Sequence, residues 1–151
     1  MRRIIAVSSL NAIPIYECIL MIQIKEDKLI YPELSYAVTG ECFEVHNELG
    51  RYCREKQYCD AIEKRLKTAG TRYEREFKIK TTGNTVDFLI DKKMILEIKA
   101  KPLILKEDYF QVQRYLQASN IRLALLINFR NRYLKPTRIV RIDTTAKERF
   151  N

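Results

Sequence analysis

Asp87, Glu97 and Lys99 interrupt two apolar runs in the stretch NTVDFLIDKKMILEIKAK, Asn84 to Lys101. Charged groups are rarely buried unless they are paired or bound to a metal. With Asp91, Lys92 and Lys93 as the turn, Ile90 faces Met94 and Asp87 falls opposite Glu97. Partners of that kind project from one face with Cβ atoms about 5 Å apart. Lys99 shares the face of Glu97 by the two-residue repeat of a strand. Two such carboxylates repel, and a hard divalent cation such as Mg²⁺ (or Mn²⁺), which favours oxygen ligands, relieves the repulsion. The Lys99 ammonium could then orient water or stabilise charge developing on a phosphate. A two-residue turn would send the two acids to opposite faces, and Asp87 could simply pair with Lys99.

Twelve residues after Lys99 comes QVQRY, with Gln111 and Tyr115 one helical turn apart. They flank Val112 and Leu116 on a helix expected over residues 105–119, whose buried stripe is Leu105, Tyr109, Val112 and Leu116. A glutamine there can contact a metal-bound water or a phosphate, and a tyrosine can contact a phosphate or stack on a base.

The elements that must position these groups follow from periodicity. Val38, Cys42, Val45 and Leu49 mark one face of a helix over residues 36–49, closed by Gly50. A second helix covers residues 54–69, with Tyr58, Ala61, Ile62 and Leu66 inward and Gly70 closing it. RYEREFKIK alternates as a strand with one wet face, and TTGN has hairpin chemistry. Strands are expected over residues 86–90 and 94–98. RLALLINF reads as a central strand and TRIVRI as a last, more exposed one. The order α-α-β-β-β-α-β-β describes an α/β protein with a mixed sheet flanked by helices.

The 151 residues suit one core, and their 46% apolar and 31% charged composition is that of a globular chain. A net charge of +9 favours a polyanionic partner, nucleic acid first, although a basic soluble surface has the same sign. Eight Lys and Arg residues between Asn120 and Asn151 offer a phosphate-tracking surface. Cys18, Cys42, Cys53 and Cys59 show no CxxC pair, which suits free thiols in a reducing cytoplasm. No run of 18 uncharged apolar residues marks a membrane span, so no membrane partner is expected. Nothing in the pattern fixes an oligomeric state.

Asp87, nine residues, Glu97-x-Lys99 and then Gln111-x-x-x-Tyr115 together resemble the PD-(D/E)XK nuclease superfamily. The last element is similar to its lambda-exonuclease and RecB-type (QxxxY) branch. FEVHNELG, Glu55-x-x-Tyr58, ILEIKA and LLINF resemble the small bacterial GxxExxY proteins of that superfamily, over about residues 34–142. The resemblance implies a restriction-endonuclease-like core and a metal-dependent nuclease, most simply a DNA nuclease using a metal-activated water. The alternative it allows is a catalytically silent nucleic-acid-binding module of the same fold. It further implies metal ligation by Asp87 and Glu97 and a role for Lys99 at water and phosphate. Glu55 would contact the metal or its water, and Gln111 and Tyr115 would shape the phosphate site. His46, in the VH of FEVHNELG, is a further metal candidate, while Glu44 and Glu48 read as solvated surface. Three positions depart from the pattern: Val86 replaces a proline, Tyr52 stands where the family name puts glycine, and Arg130 replaces a glycine after Asn128-Phe129.

The basic head and apolar body of residues 1–20, broken by Asn11, Pro14 and Glu17, suggest a weakly structured extension or a mis-called start, with Met21 as a second beginning. Residues 1–33 are therefore set apart from a nuclease-like domain at 34–151.

Overall fold

The computed structural model describes residues 14–17 and 30–143, so the extended or mis-called start lies almost wholly outside the described residues. Three helices of eight residues or more, α1 (Pro32–Leu49), α2 (Glu55–Ala69) and α3 (Lys106–Ser119), flank one sheet. Its strands are β1 (Tyr73–Lys78), β2 (Thr85–Ile90), β3 (Met94–Lys99), β4 (Leu123–Asn128) and β5 (Thr137–Val140). They lie side by side in chain order, with β3 and β4 parallel and every other pair antiparallel. The expected α/β architecture is therefore present, with α3 as the crossover that a parallel pair requires.

α1 opens at Pro32, earlier than the apolar pattern alone indicates, because proline's fixed φ and missing N–H suit the first helical turn. The division drawn at residue 34 thus falls inside its first turn. Val38, Cys42 and Val45 are buried, and Gly50, at φ 75, closes the helix by donating its N–H to the His46 carbonyl. At the start of α2 the Gln57 side chain accepts the Arg54 N–H at 2.9 Å, satisfying one of the orphan donors of a helix end. α3 is fixed by Asp108, which accepts the Leu105 N–H at 2.7 Å and the Lys101 ammonium at 2.8 Å. Leu105 does not belong to the buried stripe: it is the cap residue and is exposed, and Tyr115 takes its place in the core.

The sheet separates two apolar layers. Val38, Cys42, Tyr58, Ile62, Phe88, Leu96, Ile98 and Phe129 pack under α1 and α2. Val86, Leu89, Ile95, Val112, Tyr115, Leu116 and Leu126 pack under α3. All six residues of β4 are buried, as expected of a central strand covered on both faces.

β2 departs from simple alternation. Phe88 and Ile90 belong to the α1/α2 layer, whereas Val86 belongs to the α3 layer. The phase changes at Asp87, beside Glu76 of β1, whose φ of 51 is left-handed. β1 and β2 pair through Arg75↔Phe88 and Phe77↔Val86, and the intervening Glu76 and Asp87 drop out of the ladder without an extra residue on either strand. The three-residue turn is present: Asp91 and Lys92 are both left-handed, at φ 49 and 56, and Ile90 pairs with Met94.

Candidate active site

The hairpin register places Asp87 opposite Glu97, but the backbone ladder stops one step earlier, at Phe88↔Leu96. Beyond it the acids themselves bridge the strands. Glu97 Oε1 accepts the Asp87 N–H at 2.9 Å, and Asp87 Oδ2 accepts the Ile98 N–H at 2.7 Å. Each carboxylate therefore occupies the position that a strand carbonyl would otherwise fill. The second oxygen of each, Asp87 Oδ1 and Glu97 Oε2, makes no hydrogen bond with a described residue.

Glu97 is only 5% exposed, and Asp87 is partly buried beside it. Burial raises the Glu97 carboxyl from 4.5 to about 8, with the charge of Asp87 adding to the shift and its own hydrogen bond and Lys99 opposing it. Asp87 is raised as well, first by burial, with the Ile98 N–H and Lys99 opposing and the charge of Glu55 adding. The pair holds a proton more readily than free carboxylates do because two neighbouring anions largely withdrawn from water are costly.

Lys99 reaches from the end of β3 toward α3, where its ammonium donates to Gln111 Oε1 at 3.2 Å. Tyr115, one turn further along α3, is buried in the same layer. Its hydroxyl is shifted upward, first by burial and then by the negative charges of Glu97 and Asp87. Asp87, Glu97, Lys99 and Gln111 are thus gathered between the open end of the hairpin and α3, and Tyr115 lies one helical turn beyond Gln111. Glu55 stands exposed at the start of α2, and its charge acts on both acids.

His46 is used elsewhere. Its Nε2 lies 2.9 Å from the Asn131 carbonyl oxygen, and its ring tilts against Phe129 at 5.9 Å between centroids. Among the described residues no group of three or more His, Cys, Asp and Glu side chains is gathered closely enough to hold an ion, so neither Glu55 nor His46 joins the acidic pair as a formed ligand cluster. The donor set nonetheless fits a hard divalent ion: two adjacent carboxylates, each with one oxygen not used in a hydrogen bond to a described residue. Mg²⁺ is commonly held by one or two carboxylates in that way.

Cys42, Cys53 and Cys59 are free thiols, and burial pushes the first up to about 12 and the last higher still. The basic C-terminal stretch is less available than its composition suggests. Arg138 donates to Ser35 Oγ and the Ile30 carbonyl, while Arg141 pairs with Asp143 at 2.7 Å and with Asn120 Oδ1 at 2.5 Å. Arg130 and Arg132 instead lie over tyrosine rings. Glu44 and Glu48 are solvent-exposed, as expected.

A family model described as the PD-(D/E)XK nuclease superfamily matches residues 32–142. No curated protein and no solved structure matches the chain. No helix among the described residues is long and apolar enough to cross a membrane.

Proposed function

This chain belongs to the PD-(D/E)XK nuclease superfamily, and from that premise we propose that it hydrolyses phosphodiester bonds in DNA with the help of Mg²⁺ or Mn²⁺. The observation that carries the proposal is the Asp87–Glu97 pair: a buried and a half-buried carboxylate bridged to opposite backbones, each with one oxygen outside any hydrogen bond to a described residue. When bound, a divalent cation supplies Lewis-acid stabilisation of the phosphate and lowers the pKa of coordinated water.

The chain's own residues account for the rest. Asp87 Oδ1 and Glu97 Oε2 are the oxygens that would hold the ion, while Oδ2 and Oε1 stay on the backbone and fix both carboxylates in place. Lys99, held by Gln111 at 3.2 Å, is aimed so that its ammonium stabilises the charge that builds on the scissile phosphate. Water attacks phosphorus and gives up a proton to solvent, the P–O bond to the leaving nucleoside breaks, and the departing oxygen takes up a proton from solvent. Tyr115 closes the apolar side of the site, and Glu55 sits where it could accept a hydrogen bond from a water on the ion. His46 remains the weakest of the ligand candidates because Asn131 already engages its Nε2. The resemblance to GxxExxY proteins and the QxxxY branch supports the same roles.

A second reading, a nucleic-acid-binding module without turnover, draws on one observation: no third side chain completes a ligand cluster among the described residues. Calorimetric titration of Mn²⁺ into wild type and Glu97→Gln separates the two, alongside a nicking assay on plasmid and linear DNA. Metal binding lost in Glu97→Gln together with metal-dependent cleavage supports the nuclease. Salt-sensitive DNA binding with neither metal uptake nor cleavage would establish the module instead.

A further inference from the structure

A second constellation lies beyond the end of β3, the strand that carries Glu97 and Lys99. Tyr52, in the loop between α1 and α2, is 76% exposed, and its ring lies under two guanidinium groups, Arg51 at 5.1 Å and Arg130 at 5.7 Å. One solvent-facing aromatic would be unremarkable alone. This one is rigidly presented. The Tyr58 hydroxyl donates to the Gly50 carbonyl at 2.6 Å and accepts the Cys53 N–H at 3.1 Å, pinning the loop on both sides of Tyr52. Arg51 Nε donates to the Arg130 carbonyl at 2.8 Å, tying the same loop to the β4–β5 connection. Tyr58 itself stacks on Phe129 at 4.3 Å, so the platform rests on the core.

The neighbourhood is cationic and uncompensated: neither Arg51 nor Arg130 makes an ion pair with a described residue. It also reaches the end of β3, from the α1/α2 side of the sheet. Arg130 Nη2 lies 3.4 Å from the Ala100 carbonyl, one residue past Lys99, and the Phe129 N–H donates to the Lys99 carbonyl at 2.8 Å. A single guanidinium and a single peptide group separate the Tyr52 ring from the strand that carries Glu97 and Lys99.

We infer that Tyr52 is a stacking platform for an unpaired base, with Arg51 and Arg130 on the neighbouring phosphates, so that the site accepts a single-stranded nucleic acid segment. The inference rests on the nuclease reading for its substrate class. Its physical basis is that an aromatic face set among unpaired cations binds bases irrespective of sequence. A base paired inside a duplex has no free face to offer, so the platform discriminates by strandedness.

The test is fluorescence anisotropy in EDTA, where no cleavage occurs, with labelled single strands of about 15 nucleotides and blunt duplexes of equal length. Thermal melts check that Tyr52→Ala and Tyr52→Phe fold as wild type does. Tyr52→Ala is expected to bind the single strand roughly 5- to 100-fold more weakly, with duplex binding unchanged and Tyr52→Phe close to wild type. Unaltered single-strand affinity in Tyr52→Ala, or an equal loss on both forms, would overturn the platform. Cleavage by wild type with Mn²⁺ is scored separately. Cleavage with no Tyr52 effect keeps the nuclease and removes the platform, and Tyr52-dependent binding without cleavage does the reverse.

Discussion

Replacing Glu97 by glutamine should make the metal-free protein more stable at alkaline pH, and the size of the gain follows from the site. The Glu97 carboxyl titrates at 4.5 when unfolded and near 8 in the fold. Below the lower value both states are protonated and the residue is neutral toward folding. As the pH rises between the two, the unfolded chain releases its proton while the folded chain keeps it, so stability falls. The slope is about 1.4 kcal/mol per pH unit for one proton, which gives a ceiling of about 5 kcal/mol by pH 8. That is a large share of the 5–15 kcal/mol, roughly, that holds a domain of this size together. Glutamine removes the titration yet keeps an Oε1 to accept the Asp87 N–H, so the strand bridge survives. Urea unfolding in EDTA at pH 5, 6.5 and 8.5 reads the difference directly. The two proteins should converge at pH 5 and separate by several kcal/mol at pH 8.5, and Mn²⁺ should rescue only wild type. Parallel curves, with the same gap at every pH, would refute the reasoning: Glu97 would then hold no proton beyond its unfolded range.

Three further outcomes follow from contacts already described. Lys99→Ala should slow DNA cleavage by about 100-fold or more, the typical loss when one preorganised charge is removed, while calorimetry still detects Mn²⁺. Tyr58→Phe keeps the ring on Phe129 but deletes both hydroxyl contacts to the loop, and should cost about 1–3 kcal/mol in urea unfolding. Arg138→Met removes the donor that ties β5 to Ser35 and the Ile30 carbonyl, and should lower stability by about 2 kcal/mol while leaving the Mn²⁺ isotherm intact.

Much of the site was legible because it depends on local rules. A three-residue turn fixes the register of a hairpin, so the opposition of Asp87 and Glu97 could be counted from the residues alone. Gln111 and Tyr115 were legible because a helix repeats each turn. What the residues hid was tertiary. Nothing in the alternation of β2 reveals that its phase changes at Asp87, because the cause is a left-handed Glu76 on a neighbouring strand. The capture of backbone N–H groups by both acids occurs at the same position, where the β2–β3 ladder also ends. His46 reads as a ligand by type, yet the β4–β5 connection, distant in sequence, supplies its partner. Within the basic C-terminal stretch, Arg138 and Arg141 are engaged by the fold whereas Arg122, Arg132 and Lys135 are exposed, and a composition count cannot separate the two kinds. Tyr52 and Arg130, two departures from the resembled pattern, meet only once α1 and β4 have packed.

The ends of the sheet have a consequence for how copies of this molecule can meet. β1 alternates Glu74, Arg75, Glu76 and Lys78 along its length and is twisted by its left-handed residue, and β5 is only four residues long. Flat, uncharged borders invite another chain to add a strand, whereas bent, charged or short ones refuse it. Any self-association through the described residues would therefore run through side chains on helices and loops rather than by continuing the sheet.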